Sequence, residues 1–188
     1  MKDSIQNEFD EHIKAVNSLH ELTEKVSDAA QICIQSLKQG GKILILGNGG
    51  SAADAQHFAA ELVGRFKLNR KGLPAVALTT DTSALTSIGN DFGFNNIFKR
   101  QVEALANAKD VLIAISTSGN SENIINALEA ASNLSCKTIG LAGKGGGLMN
   151  QYCDLLIVAH SDSTPRIQEI HIIIEHTICH LIDEEFGN

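Results

Sequence analysis

His57 and Glu61 stand four residues apart in a stretch of helical pattern, so about 400° of rotation returns them to one face a single turn apart. An imidazole and a carboxylate at that spacing can ligate a metal or relay a proton. Isolated His-x-x-x-Glu pairs are most often surface pairs. Here Phe58, Ala59 and Ala60 lie between them, and the segment opens at a candidate ligand loop. A second polar group, Gln168, Glu169, His171, Glu175, His176 and His180, lies in a C-terminal helix dense in Ile167, Ile170, Ile172, Ile173, Ile174, Ile178, Leu181 and Ile182. Most of such a helix must be buried, and His171 and His180 read as core histidines. Gln168 and His176 are separated by about 12 Å of rise and about 80° beyond two turns, so their side chains reach a shared point only near full extension.

Two loops offer anion-binding chemistry. Gly47-Asn48-Gly49-Gly50-Ser51 leads from an aliphatic run into a helix, where close backbone approach and free N–H groups are available. An alanine stands where a dinucleotide fingerprint needs its third glycine, and no acidic residue is placed to read a ribose. The P-loop pattern is absent too, so no nucleotide cofactor is expected. Alone, this loop is equally a tight strand-to-helix turn. Ser116-Thr117-Ser118-Gly119-Asn120-Ser121-Glu122 is more telling. Ser121 as a helix cap explains one hydroxyl but not Ser116, Thr117 and Ser118 as well. Hydroxyls and helix N–H groups together can hold the three terminal oxygens of a phosphate monoester.

The elements that must position these groups follow from hydrophobic periodicity. Ile5, Phe9, Ile13, Val16, Leu19, Leu22, Val26, Ala29, Cys33 and Leu37 form one helical stripe over residues 1–39, with Ser27-Asp28 a candidate internal cap and Gly40-Gly41 its end. A stripe this long needs cover, from the domain itself or from other subunits. Residues 40–188 alternate buried-strand runs (43–46, 75–78, 111–115, 138–141, 155–158) with helical segments at 51–66, 82–106 broken near 89–93, 121–133 and 165–185. That alternation predicts a doubly wound, flavodoxin-like sheet of five parallel strands with an N-terminal helical segment, binding ligands beyond the carboxyl ends of its strands.

Composition narrows the partners. The 188 residues carry a net charge of −7, which disfavours nucleic acid and anionic membranes as general partners. The longest apolar runs are five residues, the start lacks the hydrophobic core of a secretion signal, and Cys33, Cys136, Cys153 and Cys179 form no C-x-x-C pair. A cytoplasmic chain with buried thiols is expected.

The serine loop, S-x-S-G-x-[ST] after a central strand, resembles the phosphate loop of the sugar isomerase (SIS) domains. GNGGSAADAQHFAAEL at 47–62 and RIQEIH at 166–171 narrow the resemblance to the phosphoheptose isomerase family over essentially the whole chain. The resemblance implies an aldose–ketose isomerase converting sedoheptulose 7-phosphate to D-glycero-D-manno-heptose 7-phosphate through an enediol. That is the first step of activated heptose biosynthesis for lipopolysaccharide or capsule. It implies zinc, one per subunit, held by His57, Glu61, Gln168 and His176, a set in which the glutamine is unusual. It marks Asn48, Gly49, Gly50, Asn90, Asp91, Ser116, Thr117, Ser118, Ser121, Glu61 and Gln168 as substrate contacts, with Ser51 and Arg65 added from position alone. Gly89-Asn90-Asp91-Phe92-Gly93 reads equally as a helix-ending turn. Glu61 is expected as base and His176 as acid, in a homotetramer with active sites between subunits. Two rivals share the fold: an isomerase of another sugar phosphate, and a non-catalytic SIS-fold regulator of replication initiation.

Overall fold

The computed structural model describes residues 1–187. Its centre is a sheet of β1 (Ile43–Gly47), β2 (Ala75–Ala77), β3 (Val111–Ser116), β4 (Lys137–Ala142) and β5 (Leu155–Val158). Every pairing is parallel and the order is β2-β1-β3-β4-β5, the doubly wound arrangement expected. β1 and β3 are buried along their whole length because both faces carry helices. Their register, Ile43 opposite Val111 and Gly47 opposite Ile115, brings the glycine loop and the serine loop out side by side at one sheet edge.

The helices are α1 (Lys2–Asn17), α2 (Thr23–Lys38), α3 (Gly50–Val63), α4 (Thr82–Phe92), α5 (Lys99–Leu105), α6 (Glu122–Asn133) and α7 (Thr164–Phe186). Strand residues alternate between two cores, as a period of two requires. Ile43, Ile45, Ile113 and Ile139 meet Ala29 and Cys33 of α2, Phe58 and Leu62 of α3, and Ile167, Ile170, Ile174 and Ile178 of α7. Leu44, Leu46 and Leu112 meet Phe98, Val102 of α5, and Ile124 and Leu128 of α6 on the other face. The helix break expected near 89–93 falls at Gly93, whose φ of 84° ends α4. Among the described residues no helix is long and apolar enough to cross a membrane.

Two local expectations change, and the domain's own cover of the N-terminal stripe proves partial. Ser27-Asp28 caps nothing: α2 already starts at Thr23, after a 3₁₀ turn over Ser18–Leu22. The N-terminal stripe is covered only in its second half; Val26, Ala29, Cys33 and Leu37 are buried, while Ile5, Phe9 and Ile13 are 49, 60 and 55% exposed. His180 is not a core histidine. It lies half-exposed, 3.5 Å from Glu184 one turn on.

His171 is a core histidine. It is fully buried with Nε2 3.1 Å from the Ala142 carbonyl, and burial pushes its imidazole down to about 4. The neutral ring therefore donates from Nε2 at ordinary pH. Glu175 is also fully buried, and neither carboxyl oxygen has a partner among the described residues. Desolvation, reinforced by Asp54, raises its carboxyl well above the ordinary 4.5. The folded chain keeps Glu175 neutral where the unfolded chain ionises it, so stability falls as pH rises above 4.5 toward the folded-state value. In thermal unfolding with chelator present, Glu175→Gln should exceed the wild type at pH 8 by several degrees, and the difference should close by about pH 4.

Candidate functional site

α3 and α7 both leave the carboxyl edge of the sheet and run side by side over it. The turn into α3 is tight: Gly49 has φ 58°, and a Cβ on Gly47 would sit 2.5 Å from the Ser51 carbonyl oxygen. Ser51 is consequently drawn beneath the loop and is 3% exposed, instead of lining its open face. At Gly50 a Cβ would lie 2.4 Å from Gln168 Nε2, so the glycine makes room for that amide. Gln168 thus stands at the glycine loop, seven residues, or about 10 Å, before His57 along α3.

Two turns along, the helices bring His57, Glu61 and His176 together. Their ligand atoms all lie within 4.8 Å of one another. His57 Nε2 is 2.9 Å from His176 Nε2 and 3.5 Å from Glu61 Oε1. At 2.9 Å two imidazole nitrogens must share a proton or a cation, since two lone pairs would repel. Two imidazoles and a carboxylate are a donor set that suits zinc, and the partial exposure of all three leaves room for a further ligand. Phe66 stacks on His176 with centroids 5.4 Å apart and planes 24° from parallel, fixing one side of the ring. Asp54, beneath the trio on α3, is raised by burial and lowered by His57. Glu61 and His176 are therefore close within one chain, as an acid–base pair requires.

The serine loop is built by contacts from two directions. Ser116 is buried with its Oγ 3.3 Å from Ser121 Oγ, while Thr117 and Ser118 are half-buried. Ser121 precedes α6, yet its hydroxyl makes no capping bond. Gly119, at φ 65°, has no room for a Cβ, which would lie 2.1 Å from the Gly146 carbonyl oxygen. The segment 143–149 holds this curvature: Gly143 N–H donates to the Thr117 carbonyl (3.2 Å) and Met149 N–H to that of Gly119 (3.1 Å). Leu148 N–H donates to Asn120 Oδ1 (2.9 Å). The two ligand loops are tied by a reciprocal amide pair, in which Asn48 and Asn123 each donate to the other at 2.9 Å.

Asn90 and Asp91 lie apart from these groups in the last turn of α4. Both are exposed, and Asn90 Nδ2 donates to Asp91 Oδ1 at 2.8 Å. Arg65 is exposed just after α3. Sequence reasoning missed Asn123 and Phe66. Only the fold reveals either: Asn123 is paired with Asn48, 75 residues earlier, and Phe66 is set against a ring on α7.

Residues 8–143 match the SIS domain family. The phosphoheptose isomerase of Aliarcobacter butzleri is 58% identical over 100% of both chains. Phosphoheptose isomerase 1 of Campylobacter jejuni is 57% identical over 97% of this chain and 98% of its own. The solved phosphoheptose isomerase of Neisseria gonorrhoeae superposes with a TM-score of 0.92 at 47% identity, covering 97% of this chain and 98% of that one. On sequence and fold together, the chain belongs to the SIS domain family and, within it, to the phosphoheptose isomerases.

Proposed function

We propose that this chain interconverts sedoheptulose 7-phosphate and D-glycero-D-manno-heptose 7-phosphate in the cytoplasm, as the first step toward activated heptose for surface polysaccharide. One observation carries the reading: a carboxylate and an imidazole from separate helices converge within 4.8 Å. The helix carrying Glu61 opens at the glycine loop, which the Asn48–Asn123 amide pair ties to the start of α6 beside the serine loop. A regulator that only senses a phosphosugar has no use for that carboxylate and imidazole.

Moving a proton between C1 and C2 needs a base, an acid and a grip on the far end of the chain. Ser116, Thr117, Ser118 and Ser121, with the N–H groups opening α6, hold the phosphate. Asn48, Gly49 and Gly50 border the sugar; Asn90 and Asp91, apart from these groups within one chain, would reach it only from a second copy. Glu61 removes the proton from one carbon and returns it to its neighbour, while His176 gives a proton to the developing oxyanion and recovers one from the adjoining hydroxyl, with Phe66 keeping its ring oriented. His57, Glu61 and His176 would hold zinc, and Gln168, whose amide stands at Gly50, would contact the sugar instead. When bound, the ion would polarise the carbonyl.

The assembly belongs to the same reading. Glu61 is about 16 Å along α3 from the glycine loop, on a half-exposed flank of the domain. A second copy covering that flank would close the site against water, and residues 1–39 are the segment placed to recruit it. We therefore assign a homotetramer in which active sites lie between subunits.

Glu61→Gln should lower kcat by about 10²–10⁴-fold with sedoheptulose 7-phosphate binding retained, read by steady-state kinetics beside calorimetry. Unchanged turnover removes Glu61 as base. Dialysis against a chelator should abolish activity, and stoichiometric zinc should restore it; full activity in metal-free protein would refute the ion's role. Substituting Phe9 and Ile13 together by Asp should shift sedimentation toward smaller species and reduce activity in step. A fully active monomer would exclude the interfacial site.

A further inference from the structure

Five segments leave the carboxyl ends of the strands, and Lys144 is the one Lys or Arg at residues 48–49, 78–81, 117–121, 143–147 and 159–163. Its backbone is left-handed, with φ 50°, followed by Gly145, Gly146 and Gly147 at 76°, 86° and 51°. A fourth glycine would hold this curve without strain, yet the position carries a lysine. Such strain persists where the surroundings impose it, and it clusters at functional sites. The surroundings here are the segment after β5, where Lys144 N–H donates to the Ser161 carbonyl (3.3 Å), and the serine loop. Gly143 N–H donates to the Thr117 carbonyl, Gly146 O abuts Gly119, and Lys144 lies between them in the chain. Lys144 is exposed, and its ammonium makes no ion pair among the described residues.

The serine loop itself offers hydroxyl and N–H dipoles but no positive charge. A phosphate monoester approaches two negative charges near neutral pH, and the chain it approaches has a net charge of −7. We propose that Lys144 supplies the positive charge that draws the substrate's phosphate to the serine loop and holds it there. This rests on the serine loop as the phosphate grip. Its action is electrostatic and partly screened, because the side chain is exposed.

Kinetics on sedoheptulose 7-phosphate, with inorganic phosphate as competing anion, test it. In Lys144→Gln, KM and the inhibition constant for inorganic phosphate should rise together by about two- to fivefold, with the loss in KM and little in kcat. The rise of KM with ionic strength should be flatter than in the wild type. Lys144→Arg should restore both constants. Lys144→Gly removes charge and strain at once, so its KM should match Lys144→Gln while its thermal midpoint stays at or above the wild type. An unchanged KM in Lys144→Gln, or a midpoint that falls in Lys144→Gly, overturns the proposal. A wild-type protein that neither turns over the sugar phosphate nor binds inorganic phosphate overturns the reading of the serine loop instead.

Discussion

The parallel packing of α3 on α7 is the constraint from which the candidate site follows. Both helices depart from the same edge of the sheet, so residues at a near-constant offset face each other: Gly50 with Gln168, then His57 with His176. The pairing is held by buried apolar residues, Ala55, Phe58, Ala59 and Leu62 from one helix and Ile170, Ile174 and Ile178 from the other. Full burial of side chains such as Phe58 or Ile174 is worth about 1.5–3 kcal/mol each. Against that apolar reserve the helices can carry polar groups that stabilise nothing, including Glu175, whose carboxyl is buried without a partner among the described residues. The alanines at 55 and 59 let the axes approach, and that closeness puts two imidazole nitrogens 2.9 Å apart.

Much of this was legible before any coordinates. Parallel strands buried on both faces read as aliphatic runs, so Ile43–Leu46, Val111–Ile115 and Leu155–Val158 announce themselves locally. Alternation with helices then leaves few topologies. The trio of His57, Glu61 and His176 was legible for a different reason. Its first two members share a helix face by spacing alone, and the third was supplied by resemblance.

What escaped depends on contacts distant in sequence. Periodicity shows that α1 and α2 are amphipathic but not which half of the stripe meets the sheet, because cover is a property of the neighbour. The same blindness misplaced His180, which shares its helix with His171 but points to another side. Ser51 looked like a loop residue until the turn at Gly47 drew it under. Asn123 carried no signal as a loop tie, since its partner Asn48 lies 75 residues earlier.

The two ligand loops show how a site can be rigid where its own residues are not constrained. Hydroxyl side chains rotate freely, so a serine-rich turn alone would present its donors in many arrangements. Here the curvature is imposed from outside. The reciprocal amides of Asn48 and Asn123 lock the start of α6 to the loop after β1, and the glycine-rich segment after β4 grips Thr117, Gly119 and Asn120 through backbone and amide hydrogen bonds. Gly119 cannot carry a side chain because Gly146 occupies that space. The order needed to bind an anion with short, neutral donors is thus provided during folding by residues that need not touch the anion. Preorganisation of this kind lowers the entropy that a loop of short, neutral donors would lose on binding any anion.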